Sequence, residues 1–201
     1  MHVVCLDLEG VLVPEIWIAF SKATGIEELK ITTRDEPDYD KLMKFRIDIL
    51  HRHGLKLKDI QDVIGGLDPL PGAKAFMDAA RAKTQVIILS DTFTQFAQPL
   101  MAKLGYPTLF CNELVIGKDG SVTGYTLRQS DGKRKTIAAL KSINMKTMAA
   151  GDSYNDLGMI TTADTGALFC APDGIKQQHP EVPAYETYDE LLGHIDRFLA
   201  I

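Results

Sequence analysis

The sequence predicts a doubly wound α/β fold: a mostly parallel sheet with a β-hairpin and an inserted helical cap. Three observations carry this reading. Short β-branched apolar runs alternate with helical patterns, as in a parallel sheet covered by helices on both faces. The stretch from about residue 14 to residue 68 breaks that alternation and reads as helix throughout. Two short apolar runs also flank a tetrapeptide that begins and ends in glycine, the pattern of an antiparallel hairpin.

Val3-Val4-Cys5-Leu6 is the first strand. After it, helices are expected over Glu15 to Thr24, Asp40 to His53 and Asp59 to Ile64, closed by Gly25, Gly54 and Gly65. Pro69-Leu70-Pro71-Gly72 reads as a hinge back to the sheet. The expected organisation is a core domain of residues 1–13 and 69–201 and a cap domain of residues 14–68. Val86 to Leu89 and Thr108 to Cys111 are the next two strands. Leu114 to Ile116 and Val122 to Leu127, on either side of Gly117-Lys118-Asp119-Gly120, make the hairpin at the sheet edge. Thr147 to Ala150 and Gly166 to Phe169 complete the strands. Ligands bind such sheets outside the carboxyl ends of the strands. An insertion directly after the first strand would therefore cover the site as a lid.

At 201 residues, 45% hydrophobic and 24% charged, the chain can bury a sizeable core, and disorder is excluded. The net charge of −5 and the absence of a Lys/Arg cluster exclude a general nucleic-acid binder. No apolar run approaches the roughly 18 residues of a membrane span, and Asp7 and Glu9 come too early for a secretory signal. The cysteines, Cys5, Cys111 and Cys170, are odd in number, scattered and set in apolar stretches. They read as core residues of a cytoplasmic protein, without disulfides.

Chemistry concentrates at the strand ends. Asp7 and Glu9 follow the first strand, and Gly10 allows a sharp turn. Ser90-Asp91-Thr92 ends the second strand and, taken alone, is an N-cap cluster for a helix beginning near Phe93. Gly151-Asp152 through Asp156 ends the fourth, and Lys133 opens a helix over Arg134 to Lys141. Each is ordinary alone, as a polar strand end, a cap or a solvated lysine. In a parallel sheet, however, Asp7, Glu9, Asp152 and Asp156 converge on one crevice, where like charges raise one another's pKa. A divalent cation relieves this, and an oxygen-only ligand set favours Mg²⁺. Mg²⁺ commonly works on phosphate substrates, for which Ser90, backbone N–H groups and Lys133 are suitable partners.

The ordered set Asp7-Leu8-Glu9-Gly10, Leu89-Ser90, Lys133 and Gly151-Asp152 through Asp156 resembles the haloacid dehalogenase (HAD) superfamily phosphatases over essentially the whole chain. The insertion resembles the helical cap of phosphoserine phosphatases. Asp-Leu-Glu-Gly-Val-Leu-Val-Pro-Glu and Leu-Ser-Asp-Thr resemble the bifunctional phosphoserine phosphatase/homoserine phosphotransferase branch. The resemblance implies a HAD-like core and an Asp7 nucleophile that forms an aspartyl-phosphate. It makes Glu9 the acid and then the base. It implies Mg²⁺ held by Asp7, the Glu9 carbonyl and Asp152, with Asp156 orienting them or coordinating through water. Phosphoryl oxygens would be held by Ser90, the Asp91 N–H, Lys133 and Asn155. Two departures are visible: Glu9 stands where most of the superfamily has Asp, and Ser90-Asp91-Thr92 where many phosphoserine phosphatases have Ser-Gly-Gly.

The cap helix can be read separately. At about 100° per residue, Leu42, Met43, Phe45, Ile47, Ile49 and Leu50 share one arc, and Lys41, Lys44, Asp48, His51 and Arg52 fill the other. Arg46 falls within the apolar arc. It either snorkels or pairs internally with Glu15, or it faces the closed site and binds a substrate carboxylate while Glu15 takes an ammonium. The second arrangement matches the amino-acid-binding Glu and Arg of phosphoserine phosphatases. His51 and His53 point apart, and Trp17 and Phe20 read as cap core.

The expected function is Mg²⁺-dependent hydrolysis of O-phosphoserine, with transfer to homoserine as a variant, by a cytoplasmic monomer or homodimer. Alternatives are a phosphatase for another small phosphorylated metabolite, a receiver-type phospho-aspartate module, or a non-catalytic binding protein on the same fold. The long insertion and Glu9 argue against the receiver, and the intact Asp7, Lys133 and Asp152 against the binding protein.

Overall fold

A computed structural model describes residues 1–33, 35, 36 and 38–200. Strands β1 (His2–Leu6), β2 (Gln85–Phe93), β3 (Thr108–Ile116), β4 (Val122–Thr126), β5 (Lys146–Gly151), β6 (Thr165–Phe169) and β7 (Ala184–Tyr185) form one sheet in the order β4-β3-β2-β1-β5-β6-β7. Among the described residues, only the β3–β4 pair is antiparallel. The order reverses at β1, which lies between β2 and β5, so its carboxyl end is a topological switch point.

Val3, Val4, Cys5 and Leu6 are all fully buried, because helices cover both faces. Val4 and Leu6 join the core under α4 (Ala73–Lys83), α5 (Thr94–Lys103) and α9 (Tyr188–Leu199). Val3 and Cys5 join the opposite core under α6 (Gly132–Ser142), α7 (Leu157–Thr162) and α8 (Asp173–Gln178). Side-chain alternation along the strand divides them. Each such aliphatic side chain contributes about 1.5–3 kcal/mol through burial.

Between β1 and α4 lie α1 (Ile16–Thr24), α2 (Tyr39–Arg52) and α3 (Leu57–Gly65), with a 3₁₀ turn at Glu27–Lys30. Gly25 and Gly54, both at positive φ, follow α1 and α2. α3 packs on α1 and on α5 of the core. His51 Nε2 lies 2.8 Å from the Val122 carbonyl oxygen, tying α2 to the hairpin.

Several expectations need correction. Residues 14–68 are not helical throughout: 31–33, 35, 36 and 38 are irregular. There the Thr32 N–H and hydroxyl donate to the Asp35 carboxylate, at 2.9 and 3.2 Å, offering the backbone a turn in place of a helix. α3 runs through Gly65 and ends at Gly66. Ser90-Asp91-Thr92 is extended strand rather than a cap cluster, because β2 continues to Phe93, which pairs with Asn112 after a register shift. Phe93 is the N-cap of α5 and makes no side-chain cap. The third strand and the first hairpin strand are one continuous β3. Two residues at the other edge form β7, which was not foreseen. Of the cysteines only Cys5 is core; Cys111 is half-buried, and Cys170 is exposed at positive φ just after β6. All three are free thiols.

Candidate active site

The carboxyl ends of β1, β2 and β5 and the first turn of α6 meet in a cavity of ≈ 90 Å³. Nine of the ten residues singled out in the sequence line it: Asp7, Glu9, Glu15, Arg46, Ser90, Asp91, Lys133, Asp152 and Asn155. The tenth, Asp156, is fully buried and bonded to Lys133 beneath it.

Asp7 stays in register with the sheet because its N–H donates to the Ala150 carbonyl at 3.0 Å. Its Oδ1 accepts from the Leu8 N–H at 2.8 Å and lies 2.9 Å from Lys133 Nζ. No bond reaches Oδ2 among the described residues. Burial first, then the charges of Asp156 and Asp152, push the Asp7 pKa well above the usual carboxylate range, against the pull of Lys133. Lys133, itself buried, also donates to Asp156 Oδ1 at 2.7 Å. Burial alone would discharge the lysine, but Asp156 and Asp7 outweigh it and hold its pKa well above normal.

Asp156 Oδ2 accepts from the N–H groups of Asp152 and Ser153, at 3.1 and 3.0 Å. It thereby fixes the turn that presents Asp152. Close approach of backbone is built in at two glycines. A Cβ on Gly151 would lie 2.3 Å from Asp156 Cγ, and one on Gly10, at φ +77°, would lie 2.5 Å from Asp152 Oδ2. The carboxylates of Asp7, Asp152 and Asp156 each place an oxygen within 4.8 Å of the others. Three buried carboxylates facing one lysine leave an excess of negative charge, and the donors are all hard oxygens. The residues present therefore fit a divalent cation such as Mg²⁺.

Glu9 Oε2 accepts from the N–H of Ile16, the first residue of α1, at 2.9 Å. Burial and the neighbouring Glu15 raise its pKa to about 7, against the Ile16 N–H, Arg46 and Thr92. The Ser90 hydroxyl oxygen accepts from the Thr92 N–H at 3.2 Å, and its own proton has no acceptor among the described residues. Asn155 Nδ2 donates to Asp91 Oδ2 at 3.1 Å, so the Asp91 charge is engaged at the rim.

Arg46 is buried and enters the cavity wall from α2. Its guanidinium carbon lies 4.6 Å from the centre of the Trp17 ring, and one terminal nitrogen donates to the Ile31 carbonyl at 2.8 Å. Its Nε is buried with no partner among the described residues. Burial lowers its pKa to about 10, against the attraction of Glu9, Tyr39 and Glu15. No ion pair joins Arg46 to Glu15 among the described residues, so the internal salt bridge considered from the sequence is not formed; both line the cavity instead.

Sequence reasoning missed three contributors. The Trp17 ring belongs to the core and also supports Arg46. The Thr92 hydroxyl is buried beside Glu9. Tyr39 reaches the β2 end, its hydroxyl donating to the Asp91 carbonyl at 2.9 Å. Extending the helical periodicity back from Arg46 by seven residues would have found Tyr39; Thr92 stands in the Ser90-Asp91-Thr92 cluster, but nothing local shows that its hydroxyl lies beside Glu9.

A doubly wound parallel sheet with this carboxylate and lysine cluster at its switch point defines a class of hydrolase. The chain belongs to that class, as a haloacid dehalogenase-like hydrolase: the family matches residues 1–164, which include every candidate site residue. It is 56% identical over 191 residues to the phosphoserine phosphatase ThrH of Pseudomonas aeruginosa, covering 95% of this chain and 93% of that protein. It is also 56% identical over 191 residues to a phosphoserine phosphatase of Pseudomonas syringae, covering 95% of this chain and 81% of that one. Among solved structures, a phospho-aspartyl intermediate analogue of phosphoserine phosphatase superposes with a TM-score of 0.78 at 21% identity, covering 96% of this chain and 98% of the other. That likeness is one of fold. Among the described residues, no helix is long and apolar enough to cross a membrane.

Proposed function

We propose that the protein is an Mg²⁺-dependent phosphatase that hydrolyses O-phosphoserine through an aspartyl-phosphate on Asp7, with residues 14–68 acting as the cap. The observation that carries this reading is that one cavity joins two kinds of chemistry. Asp7, Lys133 and Ser90 suit a phosphoryl group, while Arg46 and Glu15 suit a carboxylate and an ammonium. The names of the relatives 56% identical to this chain point the same way.

An Asp7 carboxylate oxygen attacks phosphorus, and the bond from phosphorus to the serine oxygen breaks. Glu9, with a pKa near 7, is partly protonated at neutral pH and gives its proton to that oxygen. Glu9 is then the base its second task needs. It takes a proton from water as the water oxygen attacks phosphorus, which releases phosphate and restores Asp7. Asp7 and Asp152, steadied by Asp156, would hold Mg²⁺, which when bound neutralises phosphoryl charge. Lys133 and the Ser90 hydroxyl bind the equatorial oxygens. A receiver-type module stops at the phospho-protein; a base beside the nucleophile favours turnover. Homoserine, an amino-acid alcohol, suits the same Arg46 and Glu15 pair and could replace water as acceptor.

The test is phosphate release from a panel of phosphorylated metabolites, with and without Mg²⁺ and homoserine. Phosphoserine should lead in Mg²⁺, with phosphohomoserine formed when homoserine is present. Turnover of other phosphates without phosphoserine would refute the substrate, and stable phospho-protein without turnover would refute the phosphatase.

A further inference from the structure

The Asp91 carbonyl oxygen has two donors. Asn112 Nδ2 reaches it at 3.2 Å from within β3, and the Tyr39 hydroxyl reaches it at 2.9 Å from the first residue of α2. In a trans peptide the next N–H points the opposite way. Holding the Asp91 carbonyl therefore fixes the direction of the Thr92 N–H, which donates to Ser90 Oγ at 3.2 Å. With that oxygen accepting, the Ser90 hydroxyl proton is left for an anionic oxygen in the cavity. One bond from α2 thus bears on a phosphoryl-binding group.

The two donors differ in what they depend on. Asn112 is buried and fixed in the sheet. Tyr39 keeps its bond only while α2 lies over the strand ends. Arg46 is seven residues further along α2, two turns on the same face, and lines the same cavity. Tyr39, Asp91 and Asn155 also line an outer chamber of ≈ 470 Å³, so they form the wall between it and the inner cavity. The Tyr39–Asp91 bond lies at that boundary.

We propose that Tyr39 is a positioning residue that couples the cap to the phosphoryl site. Its hydroxyl sets the Asp91–Thr92 peptide, and with it Ser90, when a substrate carboxylate on Arg46 draws α2 in. The inference rests on the reading of phosphoserine as substrate. A phosphate with no carboxylate gives α2 no such pull, so the bond discriminates between substrates through kcat.

Tyr39→Phe removes the hydroxyl and keeps the ring beside Tyr125, 5.8 Å away. The experiment measures kcat and KM for phosphoserine and 4-nitrophenyl phosphate, in Mg²⁺, on the normal and Arg46→Ala backgrounds. Loss of one neutral hydrogen bond predicts a fall in kcat for phosphoserine of about three- to tenfold, with a smaller change in KM and a smaller loss on the aryl phosphate. In the Arg46→Ala background the fall should shrink to below about twofold, since residues that act as a unit are not additive. Equal fractional losses on both substrates and backgrounds, a change in KM alone, or no loss at all would overturn the inference while leaving phosphoserine as substrate. Failure of the unaltered protein to turn over phosphoserine would overturn the substrate reading and this inference with it.

Discussion

Lys133 Nζ lies 2.9 Å from Asp7 Oδ1 in a site where both residues are buried. With Asp156 and Asp152 alongside, the carboxylates outnumber the lysine, so the two partners should respond oppositely to removal. Lys133→Met leaves buried carboxylates without a cation and should cost about 3–5 kcal/mol in metal-free buffer. Asp7 is the reverse case. Its folded pKa is raised, so its ionised form opposes folding above the ordinary carboxylate pKa, and the penalty fades as pH falls. Asp7→Asn should therefore keep or raise the denaturant midpoint at pH 7 in EDTA, while lowering turnover by at least about three orders of magnitude. A marked loss of stability in Asp7→Asn, or near-normal turnover, would contradict this account.

Metal affinity should track the placement of Asp152. EDTA should abolish activity and Mg²⁺ restore it. Asp152→Ala removes an oxygen ligand and should raise the half-saturating Mg²⁺ concentration by at least about tenfold, the lower end for loss of a charged contact. Gly10→Ala should act in the same direction without touching a carboxylate, because its Cβ would sit 2.5 Å from Asp152 Oδ2 and the backbone there is left-handed. Mg²⁺ titrations of activity decide it; full activity in excess chelator would remove the metal from the mechanism.

How much of this was legible in the sequence depends on whether a residue's role is local. Asp7, Ser90 and Asp152 stand at the ends of apolar runs, and a parallel sheet must bring those ends together. Arg46 stood out because one charge in an apolar helical arc breaks its period. Asn112 gave no such sign, since it acts on a carbonyl 21 residues away; the periodicity of α2 puts Tyr39 on the face of Arg46 but does not show the carbonyl it meets, 52 residues away. The irregular stretch around Thr32 was hidden for another reason: a side-chain turn with Asp35 replaces the helix that the surrounding pattern suggested.

Acid sensitivity of the fold should run partly through His194. It is buried on α9, with Nδ1 3.0 Å from the Tyr185 hydroxyl and Nε2 3.0 Å from Thr165 Oγ1. Burial, then the charge of Arg197, hold its pKa below the usual 6.5, so folding favours the neutral ring. The unfolded chain then binds the proton more readily, and the histidine's contribution is present above about 6.5 and lost as pH falls below it. His194→Gln should narrow the fall in denaturant midpoint between about pH 7 and pH 5. An identical fall in both proteins would show that His194 does not titrate with unfolding.

Substrate choice should rest on Arg46. The side chain is buried, its ring contact with Trp17 and its bond to the Ile31 carbonyl set its direction, and Nε has no partner among the described residues. A guanidinium held so is costly to bury without an anion, and the carboxylate of the proposed substrate would supply one. Glu15 lines the same cavity, and on the proposed function it would take the ammonium. Loss of a hydrogen bond to a charged group costs about 1.5–3 kcal/mol, or roughly ten- to a hundredfold. Arg46→Ala should lower kcat/KM for phosphoserine by that factor or more. An aryl phosphate has no carboxylate for Arg46 to hold, so its kcat/KM should fall far less. Equal losses on the two substrates would mean that Arg46 supports the fold or the phosphate. No loss on either would leave amino-acid recognition without a residue to carry it.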